Sequence, residues 1–407
     1  MTSSGGSANG PVLNLGIIGL GGGASQMLPA FARHSRVSVT AAADIDQDQL
    51  DKFRTQYEGE TFLSAEAICR SPSVDVVYIA TPNQFHSEHA LIALENKKHV
   101  YMEKPMTLTL EEADVMIQAA ERNGMQLAVN VKHSFEPRVR KIREMVVNEE
   151  LGKLRMLNYW YFNDWLYSPR TAEELTPELG GGVPWRQGPH QFDILRTIAG
   201  GLVRTVRATT GVWDETRPVP GCYSSFLEFE NGVVATAVYS GYDHFSSREL
   251  TYRVDEGDAW PDPPVHAKAR TALREAGSKE AETAMKRDRR FGGTGRDPAG
   301  ASPGQRRPTP WILGGPLVAS FDKGDVRLTP NGLMVYGEEE KREIPLPSLP
   351  DGRDGIIDEV YQAVINGRRP SNDGHWGKAT LEVLLALFQS GKERREIQMS
   401  HQVPTQD

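Results

Sequence analysis

The sequence predicts an α/β protein in two parts: an N-terminal doubly wound parallel sheet, then an α+β domain with a large, mostly antiparallel open sheet. Three observations carry this. From Leu13 to Val131, short apolar runs alternate with amphipathic stretches of helical spacing. After Val131, segments of strand character follow one another at Val203–Trp213, Tyr223–Glu230 and Val233–Tyr239. A glycine-rich turn, Gly19-Leu20-Gly21-Gly22-Gly23-Ala24, closes the first apolar run.

Residues 1–12, rich in Ser, Gly and Asn, lack the apolar core of a signal peptide and read as a flexible tail. Strands are expected at Leu13–Ile18, Val37–Ala43, Asp75–Ala80, His99–Met102 and Gln126–Val131. Several are apolar nearly throughout, as strands buried on both faces are. Thr109 and Glu112 form a capping box for the helix before the last strand, and Gly124 stops it. Pro29 falls inside the first helix and predicts a kink there. These elements make a first domain of residues 13–131 and leave 132–407 to a second. The second domain opens with a helix over Glu136–Val147, started by Pro137, a strand over Leu154–Phe162 and a helix over Gln187–Ala199. Residues 255–308 are polar and rich in Gly, Pro, Arg, Glu and Ala. They read as a long insertion, helical around His266–Lys286 and flexible from Phe291 onward. Strands at Pro316–Phe321 and Asp325–Val335 and helices at Gly355–Ile365 and Lys378–Lys392 complete the chain.

Composition narrows the function. The formal net charge is −8 with both signs interspersed, which disfavours nucleic acid or an anionic membrane as partner. No apolar stretch approaches the roughly 18 residues of a membrane span. Cys69 and Cys222 lie far apart without metal-ligand spacing, so neither a disulfide framework nor a metal site is expected, and a reducing cytoplasm fits.

The glycine-rich turn fits the G-x-G-x-x-G/A pattern of a Rossmann nucleotide site. Gly19 permits the tight turn, Gly21 the approach of a pyrophosphate, and Ala24 close helix–strand packing, with Gly22 and Gly23 between them. The following helix N-terminus presents N–H groups to phosphate. Asp44, 20 residues after Ala24, is placed to bind ribose hydroxyls. Ile45, Asp46 and Gln47 offer no cation for a 2′-phosphate, so NAD is expected rather than NADP. Thr81, Pro82, Asn83 and His86 follow the third strand at the carboxyl edge, where open α/β sheets bind ligands. Pro82 and Asn83 also suit a turn and helix cap, which accounts equally well for Asn83 and His86.

Glu103-Lys104-Pro105 closes the His99–Met102 run at the same edge. A partly desolvated lysine has a lowered pKa and can take a hydroxyl proton as hydride leaves carbon. Glu103 can orient that lysine or bind ribose. In the second domain Gly180-Gly181-Gly182 leads to Arg186, His190 and Asp193, which share one face of a helix. His190 suits acid–base work, with Asp193 orienting it.

Gly19–Ala24, Asp44, Thr81–His86, Glu103-Lys104-Pro105 and Gly180–Asp193 together resemble the Gfo/Idh/MocA oxidoreductases over nearly the whole chain outside 255–308. The resemblance implies a Rossmann domain, an α/β domain whose open sheet makes homodimer or homotetramer contacts, and hydride transfer served by Lys104 and His190. One position departs: where the family commonly has an aspartate four residues before the histidine, this chain has Arg186. A guanidinium suits a carboxylate and is costly to leave unpaired in a cleft, so a carboxylated substrate is expected. Val183–Asp193, Asn130–Phe135 and Asp325–Gly337 are further similar to the branch acting on phthalate cis-4,5-dihydrodiol and related carboxylated cyclohexadiene diols. That implies NAD-dependent oxidation of a carboxylated aromatic cis-dihydrodiol in aromatic-acid catabolism. Lys132, His133 and Arg138 would be further carboxylate contacts, and Trp160, Tyr161, Trp165 and Tyr167 would wall a flat ring. A solvated basic face and core packing explain the same residues without a ligand. The competing readings are a dehydrogenase of a cyclitol, sugar or sugar acid, and a catalytically silent NAD-binding regulator.

Overall fold

The computed structural model describes residues 10–251, 268–293, 315–329, 331–346 and 352–407. The first sheet is parallel throughout, in the order β3-β2-β1-β4-β5-β6. Its strands are β1 (Leu13–Ile18), β2 (Val37–Ala43), β3 (Glu60–Phe62), β4 (Val76–Ile79), β5 (His99–Met102) and β6 (Leu127–Val129). The helices between them are α1 (Gly22–Arg33), α2 (Gln47–Tyr57), α3 (Ala65–Arg70), α4 (His86–Glu95) and α5 (Leu110–Asn123). Thr109 caps α5 by accepting from the Glu112 N–H, and Gly124 ends it in the left-handed region. The helix α1 continues past Pro29 as one element. β3 was not expected, since three residues show no period.

Beyond α6 (Pro137–Val147), the second sheet has nine strands in the order β14-β13-β12-β11-β7-β10-β9-β8-β15. They are β7 (Leu154–Phe162), β8 (Val203–Gly211), β9 (Cys222–Phe229), β10 (Val234–Ser240), β11 (Leu317–Phe321), β12 (Gly324–Thr329), β13 (Gly332–Gly337), β14 (Lys341–Pro345) and β15 (Ile397–Gln398). All neighbours are antiparallel except β10 and β7. The expected single strand Asp325–Val335 is a hairpin, β12 with β13, and Asn331-Gly332 is the turn signal that marks it. One face of the sheet packs under α6, α7 (Val183–Ala199) and α11 (Gly374–Glu393), with Ile142, Phe192, Leu195, Leu227, Ala235 and Leu384 in a shared core. The other face leaves Met156, Trp160 and Phe226 exposed.

Several expected bounds and segments differ in the structure. The helix α7 starts at Val183, not Gln187, because Pro184 fits a first turn where its missing N–H costs nothing. Within the insertion, the stretch expected to be helical around His266–Lys286 holds two helices, α8 (Lys268–Ala276) and α9 (Lys279–Arg287), separated by Gly277 in the left-handed region. Phe291, where flexibility was expected to begin, is buried against Phe53 and Tyr57 of α2. The rest of that stretch, and the tail at 1–9, lie outside the described residues. The last helix before α11, α10 (Arg353–Asn366), returns to the first domain. Its Ile356, Ile357, Val360 and Tyr361 join the core of Leu28 and Phe31.

Arg196 locks α7 to α11 and the C-terminal segment. Its guanidinium lies 3.8 Å over the Trp376 ring and donates to the carbonyls of Trp376, Gly201 and Val403 and to Thr380 Oγ1. Arg196→Ala would strand these buried acceptors, and is expected to lower the unfolding free energy by about 3 kcal/mol. Urea unfolding of the two proteins side by side checks this; equal midpoints would contradict it.

Candidate active site

The carboxyl edge of the first sheet faces the start of α7, and the two together form the site. Gly19 has φ +90°, and a Cβ there would come within 3.0 Å of Ala80 and Thr81. Only glycine lets β1 turn so close to the end of β4. Gly21 is the N-cap of α1 and brings no side-chain cap, and a Cβ at Gly22 would meet nothing within 4 Å. Ala24 is buried against the sheet. Asp44 Oδ2 accepts from the Leu20 N–H at 2.6 Å and Oδ1 from the Asp46 N–H at 2.9 Å, so the carboxylate is fixed beside the turn. An open, uncapped helix start with a carboxylate at the end of β2 fits a dinucleotide.

The loop after β4 departs from expectation. His86 does not face that space. It is fully buried, with Nδ1 2.9 Å from the Pro105 carbonyl and Nε2 2.9 Å from the Thr81 carbonyl. It therefore ties the Thr81 and Pro105 loops together, because a buried imidazole keeps whatever polar partners its surroundings offer. Asn83 is also buried, its Nδ2 directly against Gly180. Pro82 starts the short helical turn Asn83–Phe85, and Thr81 Oγ1 is 3.1 Å from His89 Nδ1.

Glu103 lies behind the glycine turn, its Cγ 3.1 Å from where a Gly23 Cβ would be. Its Oε1 accepts from the Tyr78 hydroxyl and from Asn130 Nδ2, while Asn130 Oδ1 accepts from the Tyr101 hydroxyl. Burial alone would raise the Glu103 pKa. Lys104, Lys132 and the donors Tyr78 and Asn130 outweigh it and hold the carboxyl below its usual range. Tyr78 and Tyr101 were not singled out in the sequence, where they read as strand residues, and Asn130 entered only through the resemblance of Asn130–Phe135. Lys104 is half-buried and donates from Nζ to the Arg186 carbonyl at 2.7 Å. Burial pushes its pKa down to about 8, with Glu103 opposing and Arg186 and Lys132 adding to the fall.

The Gly180–Gly182 segment sets the start of α7. A Cβ on Gly182 would lie 2.5 Å from the Pro220 carbonyl oxygen, and one on Gly181 2.6 Å from that of Thr176. From there α7 carries Arg186, Gln187, His190 and Gln191 to the site. The His190 and His133 rings meet edge to face at 4.5 Å. Burial and the cations Lys104 and Lys132 depress both far below the usual histidine range, so both are neutral at neutral pH. They line a small cavity with Tyr159, Tyr161, Gln187, Gln191, Ile194 and Tyr239.

Other expected contacts fall elsewhere. Asp193 does not orient His190: it is fully buried and Oδ1 accepts from Trp376 Nε1 at 2.6 Å, with burial pushing its pKa up to about 6. One helical turn carries it past the site into the α7–α11 seam. Trp165 does not wall the cavity, since the Arg170 guanidinium covers its ring at 3.4 Å. Tyr167 lies under Arg270, and Trp160 is exposed on the outer sheet face, so of the expected aromatic wall Tyr161 alone lines the cavity. Tyr159 and Tyr239 take the remaining places, as inward positions of β7 and β10. Arg138 is buried, paired with Glu136 and donating to the Thr329 carbonyl. Lys132 is buried too, its Nζ 3.4 Å from Gln26 Oε1 of α1, which turns it toward the first domain. Arg186 is not the sole charge at its place: Glu174 lies 3.9 Å away.

Comparison with known proteins agrees with this geometry. Residues 13–131 match the family model described as the oxidoreductase family NAD-binding Rossmann fold, and 139–257 match the GFO/IDH/MocA C-terminal domain. A 1-carboxy-3-chloro-3,4-dihydroxycyclohexa-1,5-diene dehydrogenase of Comamonas testosteroni is 36% identical over 93% of this chain and 95% of its own. A Bordetella bronchiseptica RB50 protein assigned as a dehydrogenase superposes with TM-score 0.84 at 36% identity, over 95% of this chain and 100% of that one. The WlbA dehydrogenase of Bordetella pertussis, solved with NADH and UDP-GlcNAcA, shares the fold at TM-score 0.70 and 17% identity, over 96% and 98% of the two chains. No helix among the described residues is long and apolar enough to cross a membrane. The chain belongs to the Gfo/Idh/MocA family and is an NAD-binding oxidoreductase.

Proposed function

We propose that the enzyme oxidises a carboxylated aromatic cis-dihydrodiol to the corresponding dihydroxy aromatic acid. The observation that carries this is Arg186, whose carbonyl holds the Lys104 amine and whose partly exposed guanidinium has only the 3.9 Å contact to Glu174 as an ion pair among the described residues. A substrate whose carboxylate pairs there would present its hydroxyl to the Lys104 base. The Comamonas testosteroni relative, named for a carboxylated cyclohexadiene diol, supports the same class.

NAD would be held by Gly19, Gly21–Ala24 and Asp44 and would supply the hydride acceptor. Everything else falls to the chain. Neutral Lys104 accepts the hydroxyl proton at Nζ as the C–H bond breaks. Neutral His190 hydrogen-bonds the same hydroxyl, and Glu103 keeps a negative charge behind the lysine. Tyr159, Tyr161 and Tyr239 wall the ring, and Arg186 fixes its carboxylate. The product gains aromaticity, which drives the oxidation, and a role in the breakdown of phthalate-type acids in the cytoplasm follows from that substrate. The exposed Met156, Trp160 and Phe226 would be covered by a second copy in a homodimer or homotetramer. A sugar acid is the second reading, favoured by Gln187 on the cavity wall, whose amide suits a further hydroxyl.

Only the neutral amine can take the proton, and the Lys104 pKa is depressed to about 8. So kcat/KM for diol oxidation is expected to rise with pH, turn near pH 8 and level above it. Lys104→Met should lose about 10²–10⁴ of the rate. A flat profile between pH 6 and 9 would remove Lys104 from the role. Arg186→Ala should raise KM for the carboxylated diol about tenfold or more, a loss of about 1.4 kcal/mol, with NAD affinity unchanged. Steady-state kinetics decide, and an unchanged KM would contradict the assignment.

A further inference from the structure

Around Glu174 the charges do not balance. Glu174 is nearly buried in the short turn Glu173–Leu175, where its Oε2 accepts from the Thr171 N–H at 3.0 Å. Its Oε1 meets three cations: Lys286 Nζ at 3.0 Å, Arg170 Nη1 at 3.8 Å and Arg186 Nη2 at 3.9 Å. The two arginine contacts are too long for hydrogen bonds, so their donors are not consumed by Glu174. Among the described residues, the buried Nε atoms of Arg170 and Arg186 have no acceptor. Three cations against one carboxylate leave a positive surplus in a partly closed place, which is costly unless an anion arrives.

The cluster adjoins the chemistry. The Arg186 carbonyl holds Lys104, and the next turn of α7 carries His190 to the cavity. Lys286 comes from α9 of the insertion, and α9 is held firmly. Glu282 is buried, pairs with Arg217 at 2.7 Å and accepts the Arg170 N–H at 2.7 Å. Beyond its end, Phe291 packs on Phe53 and Tyr57, and its N–H points to the Leu20 carbonyl at 3.4 Å. The helix is thereby pinned between the nucleotide turn and the second domain. Burial pushes Lys286 down to about 8, with Glu174 opposing.

We propose that α9 of the insertion is part of the substrate site. Lys286, with Arg170 and Arg186, is a receptor for an anionic substituent on the substrate, and Glu174 is the internal counter-ion that holds the three cations in place. This rests on the carboxylated-substrate reading and extends it to a residue 100 positions beyond Arg186 in the chain. The insertion is then a specificity element.

The test follows binding apart from turnover. The full-length enzyme loaded with NADH is titrated with benzoate, an unreactive carboxylate, and with benzyl alcohol as neutral control, by calorimetry. Lys286→Met is expected to weaken benzoate at least about tenfold, leave benzyl alcohol and NADH unchanged, and be rescued by Lys286→Arg. Benzoate binding equal in Lys286→Met and the parent overturns the proposal, as does a parent that binds no benzoate. Benzoate binding that depends on Lys286 without oxidation of any carboxylated dihydrodiol would retain the anion site and reject the function. Normal oxidation by Lys286→Met with unchanged KM would do the reverse.

Discussion

One hydrogen bond joins the two halves of this enzyme where chemistry is proposed, the 2.7 Å contact from Lys104 Nζ to the Arg186 carbonyl. The amine stands at the carboxyl edge of the first sheet and the carbonyl in the first turn of α7. Each side is built to make them meet. His86 clamps the Thr81 and Pro105 loops from beneath, so the lysine leaves the sheet at a fixed place. On the other side Gly181 and Gly182 let the chain run against the carbonyls of Thr176 and Pro220 before α7 begins. Asn83 against Gly180 closes the seam between the domains.

The electrostatics follow from that closeness. Packing Lys104, Lys132, His133, His190 and Arg186 together in a half-dry cleft disfavours every added positive charge. The lysine falls to about 8 and both histidines become neutral, which leaves an amine able to accept a proton and imidazoles able to hydrogen-bond without carrying charge. Glu103 supplies the compensating anion, kept ionised by Lys104 and Lys132 and by hydrogen bonds from Tyr78 and Asn130.

Local signals were readable in the sequence. The Gly19–Ala24 turn, Lys104 beside a proline at a strand end, and Arg186 four residues before His190 each lie within a short window, and the structure brings all three together. Partners distant in the chain were not readable. Asp193 looked like a companion of His190 at helical spacing, yet its hydrogen bond goes to Trp376, 183 residues away. Glu174 and Lys286 are 112 residues apart and meet through an insertion whose composition suggests no fixed position. Short edge strands such as β3 and β15 are formed by pairing rather than by pattern, so nothing in their own residues announced them.

The most direct test of the central claim is NAD reduction, followed by nicotinamide absorbance, with a carboxylated cyclohexadiene cis-diol, the same diol without its carboxylate, myo-inositol and a uronic acid. Fast turnover of the carboxylated diol is expected, with turnover of the unsubstituted diol only at much higher concentration. Equal kinetics on the two diols, or preference for inositol or the uronic acid, would contradict it.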